Sequence, residues 1–330
     1  VTASLPKAEL HLHLEGSVRP DLIRELAAGH GITLDPALFT ADGDFAWTDF
    51  VDFLRVYDAT SVVVRTRDDY RRIAYDYLAR SATEGAIYVE MIVSSHHAAM
   101  AGLPYPEQLD GIVEGIESAR AQFGIEARIL ATCVRHEGPE AAIRSAREAA
   151  AHPHPLVTGF HMGGNENLYH PRDFAPAYRI AAEAGLRLSA HAGEAAGAES
   201  VRAALDHLPI ERVGHGVRAV EDATLLAELA SRGLPLEVCP NSNIATRVYP
   251  SLAAHPLPAL RQAGCRVTLN SDDPPYFGTS IGHEYATAAE AFGLDDRALV
   301  AITRTAIDAA FCDEDTRAAL HRRIDGWPTL

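Results

Sequence analysis

Short apolar runs recur along this chain, and most are followed by a longer stretch in which apolar residues fall at helical spacing. The runs that read as strands are Ala8–Leu14, Ala86–Val93, Ala127–Val134, Leu156–Met162, Leu186–Ala190, Arg212–Gly214, Leu234–Val238 and Arg266–Asn270. Helical periodicity covers Tyr70–Arg80, Pro106–Phe123, Pro139–Ala151, Phe174–Ala184, Ala198–Leu208 and Asp222–Ser231. Eight strand-then-helix units over 330 residues predict an α/β fold, a (β/α)8 TIM barrel. An open doubly wound sheet alternates in the same way, but it usually carries a phosphate-binding loop after its first strand. Here no G-x-G-x-x-G follows the first run, and no G-x-x-x-x-G-K-[ST] occurs anywhere.

The spacing is uneven in one place. The interval between the first two strands is far longer than one crossover helix needs. Within it Trp47, Phe50, Phe53, Leu54 and Tyr57 recur at helical spacing. Such a helix can simply pack its apolar face on the barrel. It can also act as a lid, with Phe50, Phe53 and Leu54 roofing the barrel mouth against a flat apolar ligand. With no linker, repeat or low-complexity tract, one barrel domain over residues 1–330 is expected, with a helical lid insertion at about 17–85.

Composition narrows the function classes. Net charge is −16 with no basic stripe, so no nucleic-acid partner is expected. Cys133, Cys239, Cys265 and Cys312 form no C-x-x-C pair, which suits reduced thiols in a cytoplasmic protein. No apolar stretch approaches the ~18 residues of a membrane span, and the N-terminus shows no signal-peptide pattern. The chain has a single lysine, Lys7. A Schiff base or a carboxylated-lysine bridge between two metals on a later strand is therefore excluded. The pattern says nothing of oligomeric state.

Four polar clusters stand at strand ends, where barrel enzymes build their sites: His11-Leu12-His13, His191-Ala192-Gly193-Glu194, Gly214-His215-Gly216 and Ser271-Asp272-Asp273-Pro274. Imidazoles and carboxylates are costly to bury unless they ligate, hydrogen-bond or react. His11 and His13 lie two apart on a strand, so both point into the barrel as a natural pair of zinc ligands. His191 can add a third nitrogen. Glu194, swung over the metal by the Ala-Gly turn, suits a general acid/base. His215, between two glycines, reads as a fourth ligand or as a base for a bound water. Of Asp272 and Asp273, adjacent and pointing apart, one can bind metal while the other faces substrate. Gly163-Gly164-Asn165-Glu166 can offer a backbone N–H and a carboxylate to a ligand. Cys239-Pro240-Asn241-Ser242-Asn243 reads as a polar turn with no metal role, and His136 is a second-rank candidate.

These motifs, in this order from about Leu5 to Phe311, resemble the adenosine deaminase family of amidohydrolase-type barrels. The resemblance implies one zinc ion per chain, held by His11, His13, His191 and Asp272. It implies that Glu194 protonates the purine N1, that His215 orients and deprotonates the attacking water, that Asp273 meets the water and N7, and that the Gly164 N–H meets N3. The implied reaction converts a 6-aminopurine to a 6-oxopurine and ammonia, with adenosine or 2′-deoxyadenosine as substrate. Glu15 stands where the better-known members have Asp, at a position expected near the ribose 5′-hydroxyl. Related adenine deaminases also carry H-L-H-L-E-G, so free adenine is an alternative, as is another adenine nucleoside such as aminodeoxyfutalosine. The 163–166 turn resembles the Gly-Asp-Glu turn of the nucleoside enzymes and favours a nucleoside. A catalytically silent ligand-binding barrel is the non-enzymatic alternative. The H-x-E…P-C-x-x-C signature of cytidine-type deaminases is absent.

Overall fold

The computed structural model describes residues 4–327. Its strands are β1 (Lys7–His13), β2 (Ala86–Ser94), β3 (Glu126–Val134), β4 (Val157–Gly163), β5 (Arg187–Ala192), β6 (Arg212–His215), β7 (Pro235–Val238) and β8 (Arg266–Leu269). They pair in parallel in sequence order to form a single eight-stranded sheet. The ends of that sheet meet through one residue. The Asp272 N–H donates to the His11 carbonyl at 3.1 Å, and the His13 N–H donates to the Asp272 carbonyl at 3.0 Å. The expected (β/α)8 barrel forms, and the seam that closes it passes through a candidate site residue.

The strands are short and apolar because both faces are covered. β2, for instance, is buried over its whole length. The helices outside cap themselves as their sequences dictate. The Arg67–Thr83 helix begins at a capping box, with the Thr66 hydroxyl accepting from the Asp69 N–H and the Asp69 carboxylate accepting from the Thr66 N–H. The insertion after β1 contains helices Pro20–Gly29 and Phe50–Ser61 ahead of that crossover helix. One sequence reading changes. The Cys239–Asn243 segment, which reads as a polar turn, mostly belongs to a short helix, Pro240–Ala245, with Pro at its first position.

At the floor of the barrel lie charges that the apolar strand pattern conceals. The Arg212 guanidinium meets Glu90 at 2.6 Å and Glu237 at 2.7 Å, all three side chains being almost fully buried. It also stacks over Phe311, 3.5 Å from the ring centroid. In this buried network one guanidinium serves both carboxylates, so that neither is left without an opposite charge.

Candidate metal centre and active site

Side chains from β1, the end of β5 and the loop after β8 converge above this floor. Ligand atoms of His11, His13, His191 and Asp272 all lie within 4.8 Å of one another. His11 Nε2 is 3.2 Å from His191 Nε2, and Asp272 Oδ1 is 3.5 Å from His11 Nε2 and 3.3 Å from His13 Nε2. Atoms sharing a tetrahedral zinc shell would sit roughly 3.3 Å apart. Their outer atoms point the same way. His11 Nδ1 donates to Glu237 Oε2 at 2.8 Å, and His191 Nδ1 lies 3.1 Å from the Met162 carbonyl. In the neutral rings this leaves both Nε2 lone pairs turned inward, facing Asp272 Oδ1, which has no hydrogen-bond partner among the described residues. The donor set fits a divalent cation.

The backbone is bent to make this possible. Asp272 (φ 64°) and His215 (φ 57°) are left-handed non-glycine residues. Strain of that kind concentrates where side-chain placement matters more than local comfort.

Around the ligands stand partners that sequence reasoning missed. Glu237 lies inside the apolar run of β7. Burial alone would raise its pKa, but Arg212 and His11 hold it below the ordinary carboxylate range. His161 on β4 lies 2.6 Å from His191 Nδ1 and 2.6 Å from the Ser189 hydroxyl. Ser242 donates to Asp272 Oδ2 at 2.7 Å, and Asn243 contacts His215 Nδ1 at 3.3 Å. The 239–243 segment therefore supports the site, against the reading of a turn unconnected to the metal. A charged residue in an apolar strand was the one available signal for Glu237. Ser242 and Asn243 gave none beyond their place after a strand.

Three acid/base candidates face the same space. Glu194 and His215 approach to 3.7 Å, and His215 Nε2 is 3.8 Å from Asp272 Oδ2. Burial first, then the charges of Asp272 and Glu166, pushes the Glu194 carboxyl well above its ordinary range. Burial and Asp272 do the same for Asp273. Asp272 goes the other way: burial opposes it, but the facing His11 and His13 imidazoles hold it well below its ordinary range. Carboxyls pushed apart in this fashion are how one site holds an acid beside an anion.

Glu166 is not among the residues that line the cavity described below, against the expectation that this turn offers its carboxylate to a ligand. Its carboxylate accepts the N–H groups of Gly193, Glu194 and Ala196 at 2.7, 2.8 and 3.0 Å, and the Ser200 hydroxyl at 2.7 Å. It thus anchors the loop that carries Glu194.

A cavity of about 60 Å³ opens from the metal ligands to the surface. His13, His191, Glu194, Asp272 and Asp273 line one side, Gly163 and Gly164 another. Phe50, Phe53, Leu54 and Tyr57 form its roof. Phe53 also packs on Trp47, Tyr276 and Phe277, so the insertion both roofs the cavity and belongs to the core. Gly164, at φ 99°, adopts a conformation that suits glycine. His136 lines the cavity beside Asp58 and His97. Glu15 sits behind the lining. It is buried, accepts from the Ser94 N–H at 3.1 Å and lies 3.3 Å from the Tyr70 hydroxyl.

With this geometry in place, comparison with known proteins is decisive for the family. Residues 6–327 match the adenosine deaminase family. The chain belongs to that family. An adenine deaminase of Chelativorans sp. (strain BNC1) is 53% identical over 97% of this chain and 98% of its own length. The crystal structure of an adenine deaminase from Arthrobacter aurescens superposes with a TM-score of 0.92 at 31% identity, covering 98% of this chain and 99% of that one. An amidohydrolase from Burkholderia ambifaria, with bound Zn, gives a TM-score of 0.88 at 30% identity, over 98% and 92% of the two chains. As a member of the adenosine deaminase family, this chain is a hydrolase acting on C–N bonds in cyclic amidines, with a candidate metal site of His and Asp donors. Among the described residues no helix is long and apolar enough to cross a membrane.

Proposed function

We propose that this chain is a zinc-dependent adenine deaminase, converting adenine and water to hypoxanthine and ammonia. The observation that carries the chemistry is the convergence of three imidazoles and Asp272 beside a Glu194 carboxyl held above its ordinary pKa. His11, His13, His191 and Asp272 would hold the ion. Bound there, zinc would supply Lewis acidity, lowering the pKa of a water to ~7.

The protein's own groups do the rest. Glu194 gives its proton to the purine N1, which makes C6 electrophilic and lets nitrogen leave as an amine. Asp273 and His215 address the water that attacks C6. As the new C–O bond forms, one proton of the water restores Glu194 and the other passes to the C6 amine, so that the C6–N bond breaks and ammonia departs. The Gly164 N–H faces the N3 edge, and Phe50, Phe53 and Leu54 cover the ring and exclude bulk water.

Adenine, the alternative in the sequence reading, replaces adenosine as the favoured substrate for two reasons. Relatives that match almost the whole chain are named adenine deaminase. In addition, the turn that argued for a nucleoside spends its carboxylate on the 193–196 backbone. A substrate panel of adenine, adenosine, 2′-deoxyadenosine and aminodeoxyfutalosine, read by ultraviolet absorbance and run beside a zinc assay, tests this reading. Adenine is expected to give the highest kcat/KM. A higher value for any nucleoside would overturn the assignment. Glu194→Gln is expected to bind zinc and purine yet lose about 10²–10⁴ of the turnover. Near-normal activity would remove Glu194 from the mechanism.

A further inference from the structure

We infer that His255 and Asn243 form a positioning relay that fixes the tautomer of His215, with its proton on Nε2, so that His215 gives a hydrogen bond to the attacking water and does not take its proton. The inference rests on the deaminase reading only for the identity of that water.

The relay is a matter of donor and acceptor accounting. The Leu257 backbone N–H donates to His255 Nδ1 at 3.2 Å. A backbone amide can only donate, so His255 Nδ1 carries no proton and the ring is neutral, with its hydrogen on Nε2. Burial agrees, pulling the pKa of His255 down to about 4. Its ring packs against Tyr249 and Phe292. His255 Nε2 then donates to Asn243 Oδ1 at 3.1 Å. That contact fixes which way the amide points, a choice otherwise open for any asparagine. The Asn243 NH2 must face His215, and it donates to Nδ1 at 3.3 Å. His215 Nδ1 is therefore an acceptor. The one hydrogen of the ring lies on Nε2, which is buried and has no hydrogen-bond partner among the described residues.

That Nε2–H stands 3.7 Å from Glu194 and 3.8 Å from Asp272, facing the space where water must attack. It can orient an oxygen and stabilise negative charge developing on it. It cannot accept a proton there without the relay turning over. The role of proton acceptor falls instead to Glu194, which becomes a carboxylate when it protonates N1. The Leu257 backbone N–H thus sets the chemistry of the His215 ring through two intervening side chains.

The direct test is a two-bond 1H–15N correlation spectrum of the zinc-loaded protein with 15N-labelled histidine. A neutral His215 with protonated Nε2 and bare Nδ1 is expected. A protonated Nδ1 would overturn the inference. The spectrum reads the tautomer even if no purine is turned over, so failure of the deaminase reading is a separate result. Kinetics adds a second arm. Asn243→Asp turns the acceptor side of residue 243 toward His215 Nδ1, and kcat is expected to fall about a hundredfold with KM within about twofold. His255→Gln keeps a donor toward Asn243 and is expected to retain kcat within about threefold, whereas His255→Leu is expected to lose it as Asn243→Asp does. Equal loss in the Gln and Leu variants would reduce His255 to packing and overturn the relay.

Discussion

A Cβ built on Gly16 falls 1.7 Å from Oδ1 of Asp273. The turn after β1 and the loop after β8 are thus pressed together with no room for a methyl group. The same Oδ1 has no hydrogen-bond partner among the described residues, which leaves it free for substrate or water. Gly16→Ala should therefore push the Asp273 carboxyl out of place. Its backbone needs no unusual dihedral, so the fold should survive. We expect kcat to fall at least about tenfold, with a melting temperature within a few degrees of wild type. Unaltered turnover in a folded variant would show that Asp273 is not needed where it stands.

Glu237 holds His11 through Nδ1, and Arg212 holds Glu237. Carboxylates in this position orient a ligating imidazole and raise its basicity. Glu237→Gln should weaken zinc binding by about 10–100-fold, measured by competition with a chelator. If affinity is unmoved, the Glu237–His11 contact serves only to neutralise Arg212.

Phe50 and Phe53 both roof the cavity, but they differ in burial: Phe53 is almost fully buried, Phe50 only partly. Phe53→Ala should raise KM and also cost about 3–5 kcal/mol of stability. Phe50→Ala should raise KM with kcat and melting temperature little changed. An unchanged KM in both variants would make the Phe50–Ser61 helix a packing element and no lid.

Glu284 is buried on the Ile281–Phe292 helix, accepts from Thr279 at 2.6 Å, and burial first of all raises its pKa from 4.5 to about 8. Between those values the unfolded chain has released this proton while the folded chain keeps it. Fewer protons bound in the unfolded state means that stability falls as pH rises across the window, by up to ~1.4 kcal/mol per pH unit. Glu284→Gln, neutral throughout, should gain melting temperature relative to wild type from pH 5 to pH 8. A constant difference across that range would show that Glu284 is ionised in the fold.

The order of strands and helices was legible because it is local. A buried parallel strand is a short apolar run and an outer helix has a 3.6-residue stripe, whatever lies beside them. His11, His13, His191, Glu194, His215, Asp272 and Asp273 were legible because each follows or ends such a run, and barrel topology brings those ends to one face. Pairing across the barrel was not legible. Glu237 and His11 are separated by 226 positions, Arg212 and Glu90 by 122, and nothing local to either says which charge will answer it. The same holds for Glu166, whose adjacent glycines suggested a ligand turn while its partners lie on the next strand's loop. Chain-local physics, the hydrophobic period and the strand end, determined the scaffold and the chemistry it carries. Only tertiary structure decided which buried charge meets which, because a low-dielectric interior tolerates a charge or a tautomer only where a distant residue has been brought to satisfy it.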